Sequence, residues 1–313
     1  LGNGSGDFVC SDVSSNTDNS DGVAVGDVDG DGDPDAVFAN VDNRPRVCLG
    51  NGSGGFSCSD VSTDLNKAQD VALAPARTPQ VGLVDPAQGI WYLRNSVGVV
   101  TSFFYGNPGD LPIAGDWDGD GIATPGLFRQ SDGFFYARNS NTQGPADAEC
   151  FAGNPADIPI VGDWDGDGDD NLGIYRPSEQ VFYLFTSTCT GSPMGAAEIS
   201  FLFGNPGDKP VAGDWDGDGI DEIGLHREST GFFYWRNTLD TGIASDEIFF
   251  GDPGDRFVAG DWGIVDDTDS PAVFRPSNTT FFFRHTLTQG NADSQFVFGQ
   301  PGWLPVAGDF GLG

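Results

Sequence analysis

Four short stretches of this 313-residue chain place aspartate at every second position with glycine interleaved. A hard divalent cation takes about six to eight oxygen ligands, so several carboxylates must converge on one point. The nine-residue pattern Asp-x-Asp-x-Asp-Gly-x-x-Asp provides them: side chains at positions 1, 3, 5 and 9, a backbone carbonyl at position 7, and a glycine where the chain turns. Asp27, Asp29, Asp31 and Asp35, with the carbonyl of Asp33, meet this pattern in full. Asp163, Asp165, Asp167 and Asn171, with the carbonyl of Asp169, meet it with an amide at position 9. Asp214, Asp216, Asp218 and Glu222, with the carbonyl of Ile220, use a longer acid there. Asp116, Asp118 and Asp120, with the carbonyl of Ile122 and the hydroxyl of Thr124, form the least acidic set. Calcium in about four sites is the expectation. No glutamate at the twelfth position and no flanking helical pattern support an EF-hand. A degenerate copy begins at Asp261, where Gly263 and Val265 replace two ligands, and it reads as empty.

The elements that must position these loops repeat with them. The anchors Asp27, Asp70, Asp116, Asp163, Asp214, Asp261 and Asp309 stand 43 to 51 residues apart. That period, with strand-like content throughout, predicts an all-β chain built as a β-propeller of four-stranded antiparallel blades. One unit shows the plan: strands over 210–215, 223–227, 231–236 and 247–250, with the acidic loop between the first two. Gly-Asn-Pro-Gly-Asp segments, as at Gly106 to Asp110 and Gly204 to Asp208, turn the chain into the next unit. Blades are placed near 22, 68, 112, 159, 210, 257 and 305 in a single domain over 1–313. Residues 1–14 match 49–62 at twelve of fourteen positions, so Leu1 is expected to begin inside a third strand. The expected closure joins the strand near 305 to residues 1–18 as a composite seventh blade, removing the open edges.

Composition narrows the partners. Forty-seven acids against fourteen bases give a net charge of −33, which excludes a nucleic-acid ligand. Twenty-five Phe, seven Trp and six Tyr can build a core, so the charge does not mean disorder. Eighteen of the acids lie in the four full loops, where cations would relieve their repulsion. No stretch has the length of a transmembrane helix. A start at Leu1 without Met reads as a fragment of a longer precursor. Five cysteines without a Cys-x-x-Cys spacing favour disulfides in an oxidising, extracellular setting.

The recurring Asp-x-Asp-Gly-Asp-Gly, in register along nearly the whole chain, resembles the FG-GAP and VCBS repeats, the group that includes the integrin α-subunit propeller and several secreted propeller lectins. The resemblance implies seven blades and structural calcium in the loop joining the first two strands of a blade. It also implies functions of adhesion or glycan binding more often than catalysis. The chain departs from those repeats in having two units without ligands and a Trp after the first Asp in four repeats.

Arginine is periodic too. Arg129/Arg138, Arg227/Arg236 and Arg275/Arg284 are each nine apart, and Arg176 and Arg94 occupy the same positions singly. Two roles fit: pairing with the turn acids Asp110, Asp157, Asp208 and Asp255 or stacking on aromatics, or lining inter-blade pockets for a sugar or acidic ligand. His226 stands where other repeats have Phe128, Tyr175 and Phe274, and reads as a packing residue. No nucleophile motif, zinc motif or isolated acid pair points to an enzyme. The resulting expectation is an extracellular, calcium-stabilised, non-catalytic binding or adhesion module whose partner is a protein or glycan. The alternatives are a lectin with repeated inter-blade sites and a structural subunit of an extracellular, self-assembling array.

Cys48 and Cys58 flank the turn Gly52-Ser53-Gly54, and pairing across that turn sets them directly opposite on adjacent strands. A Cys48–Cys58 disulfide is therefore expected, with Cys150–Cys189 as a second pair on neighbouring blades. Non-reducing mass spectrometry should recover Cys48 linked to Cys58; Cys48 free, or joined to Cys10, would refute the hairpin register.

Overall fold

The computed structural model describes the backbone of four strands within 20–60 and residues 80–312 apart from 96, 188, 190–192 and 263–267. Two compact units are present, 1–77 and 78–313. In the first, β1 (Ser20–Gly26), β2 (Asp35–Asn40), β3 (Arg46–Gly50) and β4 (Phe56–Asp60) form one antiparallel sheet in chain order. Cys48 pairs with Cys58 in the β3–β4 register, as expected, and Asp35 opposes Gly26. The side chains here, and the rest of the loop from Asp27 to Asp33, lie outside the described residues, as does Asp70.

The second unit is a propeller of five four-stranded blades, not seven. After β5 (Gln80–Asp85), β6 (Ile90–Arg94) and β7 (Val100–Phe104) come four blades, each in chain order. They are β8 (Leu111–Gly115), β9 (Thr124–Arg129), β10 (Phe134–Ala137) and β11 (Ala148–Phe151); then β12 (Ile158–Gly162), β13 (Asn171–Arg176), β14 (Val181–Leu184) and β15 (Ile199–Leu202). Next are β16 (Lys209–Gly213), β17 (Glu222–Arg227), β18 (Phe232–Trp235) and β19 (Asp246–Phe249), then β20 (Arg256–Gly260), β21 (Ser270–Arg275), β22 (Thr280–Phe283) and β23 (Ser294–Val297). The last strand, β24 (Leu304–Gly308), pairs with β5 from Leu304↔Val84 to Gly308↔Gln80. It is the inner strand of a composite first blade, β24-β5-β6-β7. The inner strands β24, β8, β12, β16 and β20 touch in sequence and back to β24, so the ring is closed at five.

The closure at residues 1–18 is thereby overturned: β24 takes its partner from residues 80–85. Gln80 shows why. Its buried side chain accepts from the amides of Phe310 (3.2 Å) and Leu312 (3.3 Å) and donates to the Leu312 carbonyl (3.0 Å). It stands at the register position where Thr124, Asn171, Glu222 and Ser270 begin the second strands of the other blades.

Burial follows strand order within a blade. Second strands such as β9, β13, β17 and β21 are buried at five successive residues, because another blade covers each face. Third strands alternate, and fourth strands are half exposed. Five apolar clusters fill the five blade interfaces. Gly126 on β9 is small for a reason: an added Cβ would lie 2.7 Å from the Trp117 ring that packs across the strand.

At the end opposite the acidic loops, a turn aspartate and an arginine form a clamp repeated in four blades. Arg129 grips Asp110 through Nε and Nη2 (both 2.9 Å) and lies 4.5 Å from the Tyr136 ring centroid. Arg176–Asp157–Tyr183, Arg227–Asp208–Tyr234 and Arg275–Asp255–Phe282 repeat the arrangement. Each turn Asp also accepts the amide three residues before it, as Asp110 does from Asn107 (3.0 Å). In the composite blade both partners change together: Asp85 occupies the arginine position, Trp303 the aspartate position, and Trp303 stacks on Tyr92 at 4.3 Å instead. Among the described residues no helix is long and apolar enough to cross a membrane.

Gln80→Leu should leave the buried amides of Phe310 and Leu312 without an acceptor. At about 1–3 kcal/mol for each such group, ring closure should weaken by about 3 kcal/mol. Urea unfolding measures this, and an unchanged midpoint would show that the clasp does not hold the ring.

Candidate functional site

The acidic loops of Asp116, Asp163 and Asp214 join the first and second strands of consecutive blades, and the repeat puts these three at one end of the ring. The structure brings together three of the four predicted triads. Asp116, Asp118 and Asp120 offer one carboxylate oxygen each, all within 4.8 Å of one another, and so do Asp163, Asp165 and Asp167, and Asp214, Asp216 and Asp218. In each case the first Asp shapes the loop. Asp163 accepts the amides of Gly166 (2.7 Å), Asp167 (3.2 Å) and Gly168 (2.8 Å), and Asp214 does the same for Gly217, Asp218 and Gly219. Asp116 accepts from Asp120 (3.1 Å) and Gly121 (2.6 Å). Gly166 and Gly168 take φ of 75° and 94°, the left-handed turns that fold the acids inward.

Position 9 differs from loop to loop. Thr124 donates its hydroxyl to Gly115 O (3.3 Å) and accepts the Trp117 indole N–H at its carbonyl (3.1 Å). Asn171 is buried; its Nδ2 donates to the Asp169 carbonyl (3.1 Å), while its Oδ1 has no partner. Glu222 is buried and accepts the Trp215 amide at 3.3 Å. Burial, and then the charges of Asp216, Asp218 and Asp214, push its carboxyl up to about 8. Burial followed by neighbouring acids also raises Asp165 and Asp169. Asp169 leans over Gly119 of the preceding loop, toward Asp116 and Asp118, so it adds a carboxylate beside the least acidic set. Ile220 contacts Gly166 of the loop before its own in the same way.

One feature went unread in the sequence. Asp170, Asp221 and Asp269, each immediately before a second strand, accept the amide of the first loop Asp of the preceding blade: Asp116 (2.7 Å), Asp163 (2.9 Å) and Asp214 (3.3 Å). Their own amides donate to the carbonyls of the same three residues, all at 2.7 Å. Aligning from the strand side would have revealed the group, because Asp269 falls into register only when the loop from Asp261 is given one extra residue.

The remaining candidates are engaged by the chain itself. Arg138, Arg236 and Arg284 hold the loop between third and fourth strands through carbonyls, as Arg138 does at Thr142 (2.7 Å) and Pro145 (2.8 Å). Arg94 lies 3.8 Å from the Phe296 ring centroid. The Cys150–Cys189 disulfide is present and links the third-strand loop of one blade to the outer strand of its neighbour. His226 is buried beside Phe257, with neither ring nitrogen partnered.

No protein-family model matches the chain, and no curated protein does. Among solved structures it is similar to AofleA from Arthrobotrys oligospora, at 8% identity over 91% of this chain and 88% of that one, with a TM-score of 0.39. It is similar to a streptogramin B lyase at 11% identity over 85% and 80%, TM-score 0.37. BBS1N in complex with ARL6DN matches at 14% identity over 80% and 87%, TM-score 0.34. At this distance none of them informs on activity.

Burial pushes His226 down to about 4, against smaller opposing pulls from Asp255 and Asp208. The unfolded chain takes up this proton near pH 6.5 and the folded one only near 4, so stability from neutral His226 is full above pH 6.5 and falls as the pH drops toward 4. His226→Phe, which copies Phe128 and Phe274, should flatten that part of the melting-temperature profile. Parallel wild-type and variant profiles between pH 4 and 6.5 would contradict the assignment.

Proposed function

We propose that the chain is a calcium-stabilised β-propeller of the FG-GAP/VCBS kind that works outside the cell as a non-catalytic binding module for a protein partner. The observation that carries the calcium reading is the triple recurrence of three convergent carboxylates at equivalent places in consecutive blades. Oxygen-only donors in flexible loops suit calcium better than magnesium, which demands a tighter octahedron. The buried, unpartnered Oδ1 of Asn171 is an orphaned oxygen at the foot of one loop, free to serve as a ligand there. The loop at Asp27 is the fourth site in this reading. A calcium ion would supply structural charge compensation; binding itself would fall to the blade surfaces.

The extracellular placement is supported by the Cys150–Cys189 bridge, a kind of bond kept in oxidising compartments. The repeat arginines favour a scaffold role over sugar pockets, because Arg129, Arg176, Arg227 and Arg275 are tied to turn acids with side chains 2–3% exposed.

Chelation should lower the melting temperature sharply, and calcium should restore it where magnesium does so poorly. Each site filled at about a hundred times its Kd adds about 2.7 kcal/mol. With the Glu222 carboxyl pushed up to about 8 by burial, calcium entering the Asp214 loop should release a proton from it near neutral pH, and Glu222→Gln should abolish that release. A melting curve indifferent to excess chelator would sink the calcium reading. Anomalous density in a crystal should place ions at the loops of Asp116, Asp163 and Asp214.

A further inference from the structure

Two blade interfaces open toward the acidic end as clefts at equivalent register positions, and they differ in an informative way. Between the fifth and first blades, Trp262, Phe283, His285, Ser294 and Val81 line a cleft of about 200 Å³ that contains Arg94. Its guanidinium stacks over Phe296, the aromatic residue at the base of that wall. Between the second and third blades the same register positions hold Trp117, Ala137, Asn139, Ala148 and Leu172. With Ala137 in place of Phe283, this cleft measures about 280 Å³. Phe185 takes the position of Arg94, so the second cleft lacks the cation that its counterpart carries.

What it has instead is acid. Asp118, Asp147, Asp169 and Asp170 border it, above walls formed by Trp117, Phe135, Leu172 and Met194. Trp117 is held edge-on to Phe135 at 5.0 Å and anchored by its indole N–H at Thr124 O. The outer wall is fixed as well: the Cys150–Cys189 bridge and the Met194 amide on Phe151 O (3.0 Å) tie the third-blade loop to the second blade. Among the described residues one cation approaches these acids, Arg138, at 3.8 Å from Asp147, and its guanidinium is occupied by loop carbonyls.

We propose that this cleft binds an organic cation with a short apolar body, an alkyl-guanidinium, between its apolar walls and its acidic border. The volume lies just below the range of about 300–1,000 Å³ typical of drug-sized ligands, and so suits a group of side-chain size. A planar guanidinium gains from the Trp117 face and forms paired hydrogen bonds with carboxylates, which a hydrated ammonium matches less well. The chain's charge of −33 steers such a cation inward. The chemistry is shared by a free guanidine such as agmatine and by an arginine side chain on a partner. This inference names a ligand class for the binding module proposed above.

Agmatine, N-acetylarginine amide and butylamine, titrated calorimetrically into calcium-saturated protein, test it. Saturable binding of the guanidines is expected, weaker for butylamine. Ala137→Phe, which refills the cleft as Phe283 does its own, should weaken agmatine binding about tenfold or more, with the calcium-dependent melting shift unchanged. Asp147→Asn should weaken it independently, should the first variant fold poorly. Preference for the acetylarginine amide over agmatine identifies a partner's side chain as the natural occupant, and the reverse a free guanidine. No saturable binding, or binding that neither variant alters, overturns the proposal; if the calcium response then persists, the calcium reading stands without it.

Discussion

Adjacent blades are fastened where their acidic loops meet, by a pair of hydrogen bonds between the first Asp of one loop and the residue that closes the next. Asp116 with Asp170, Asp163 with Asp221, and Asp214 with Asp269 each exchange an amide–carbonyl bond in one direction and an amide–carboxylate bond in the other. Ala123 keeps the backbone half of the pair, to Asp309, and lacks the carboxylate. The arrangement ties loop conformation to blade spacing. The same Asp whose carboxylate folds its own loop around Gly166 or Gly217 presents its backbone to the neighbouring blade, so neither can shift alone.

The clasp concentrates negative charge deep in the ring. Burial pushes Asp170 and Asp269 up to about 7, and Asp221 up as well, with further repulsion among the three. Glu222 adds a fourth raised acid at the foot of a loop. At the other end of each blade the problem is solved within the chain, because every buried turn Asp meets a guanidinium. No described arginine or lysine pairs with the loop triads. The two ends thus handle acid differently: the turn acids meet arginines, and the described loop triads do not.

Blade architecture was legible because it is local. Acidic loops, Pro-Gly-Asp turns, alternating third strands and the arginine nine residues from its fellow all sit within one repeat, and the four blades from Leu111 to Val297 follow the predicted plan. The blade count was not legible, because ring closure is a pairing across more than two hundred residues with no motif of its own. Counting every Asp anchor as a blade of one ring produced seven. Yet the closure left a trace in side chains. Asp85 stands where other second strands have Arg, and Trp303 stands where other turns have Asp. Each departure looks like random decay when read along the chain; placed in one blade, they are a compensated exchange of an ion pair for an aromatic stack with Tyr92. Gln80 at the ligand position of a loop whose first half lies at Asp309 is a third sign of the same joint.

That exchange bears on where recognition resides. Clamps and clasps hold most blades of this ring, so residues conforming to the repeat are accounted for by the ring. Phe283, Leu184 and Trp235 conform in this sense: large side chains at one third-strand position, filling the space beneath a loop tryptophan. Ala137 does not conform, and nothing in the clasp or the clamp requires a small residue there. Its neighbours depart as well, with Cys150 in place of Phe296 and a disulfide holding the opposing loop in position. An opening created by decay would be expected to collapse or to lose its walls, since apolar contacts that face a void contribute nothing. This one has covalently braced walls, an anchored tryptophan and an acidic border, so an interface that departs from the repeat is at the same time firmly constructed.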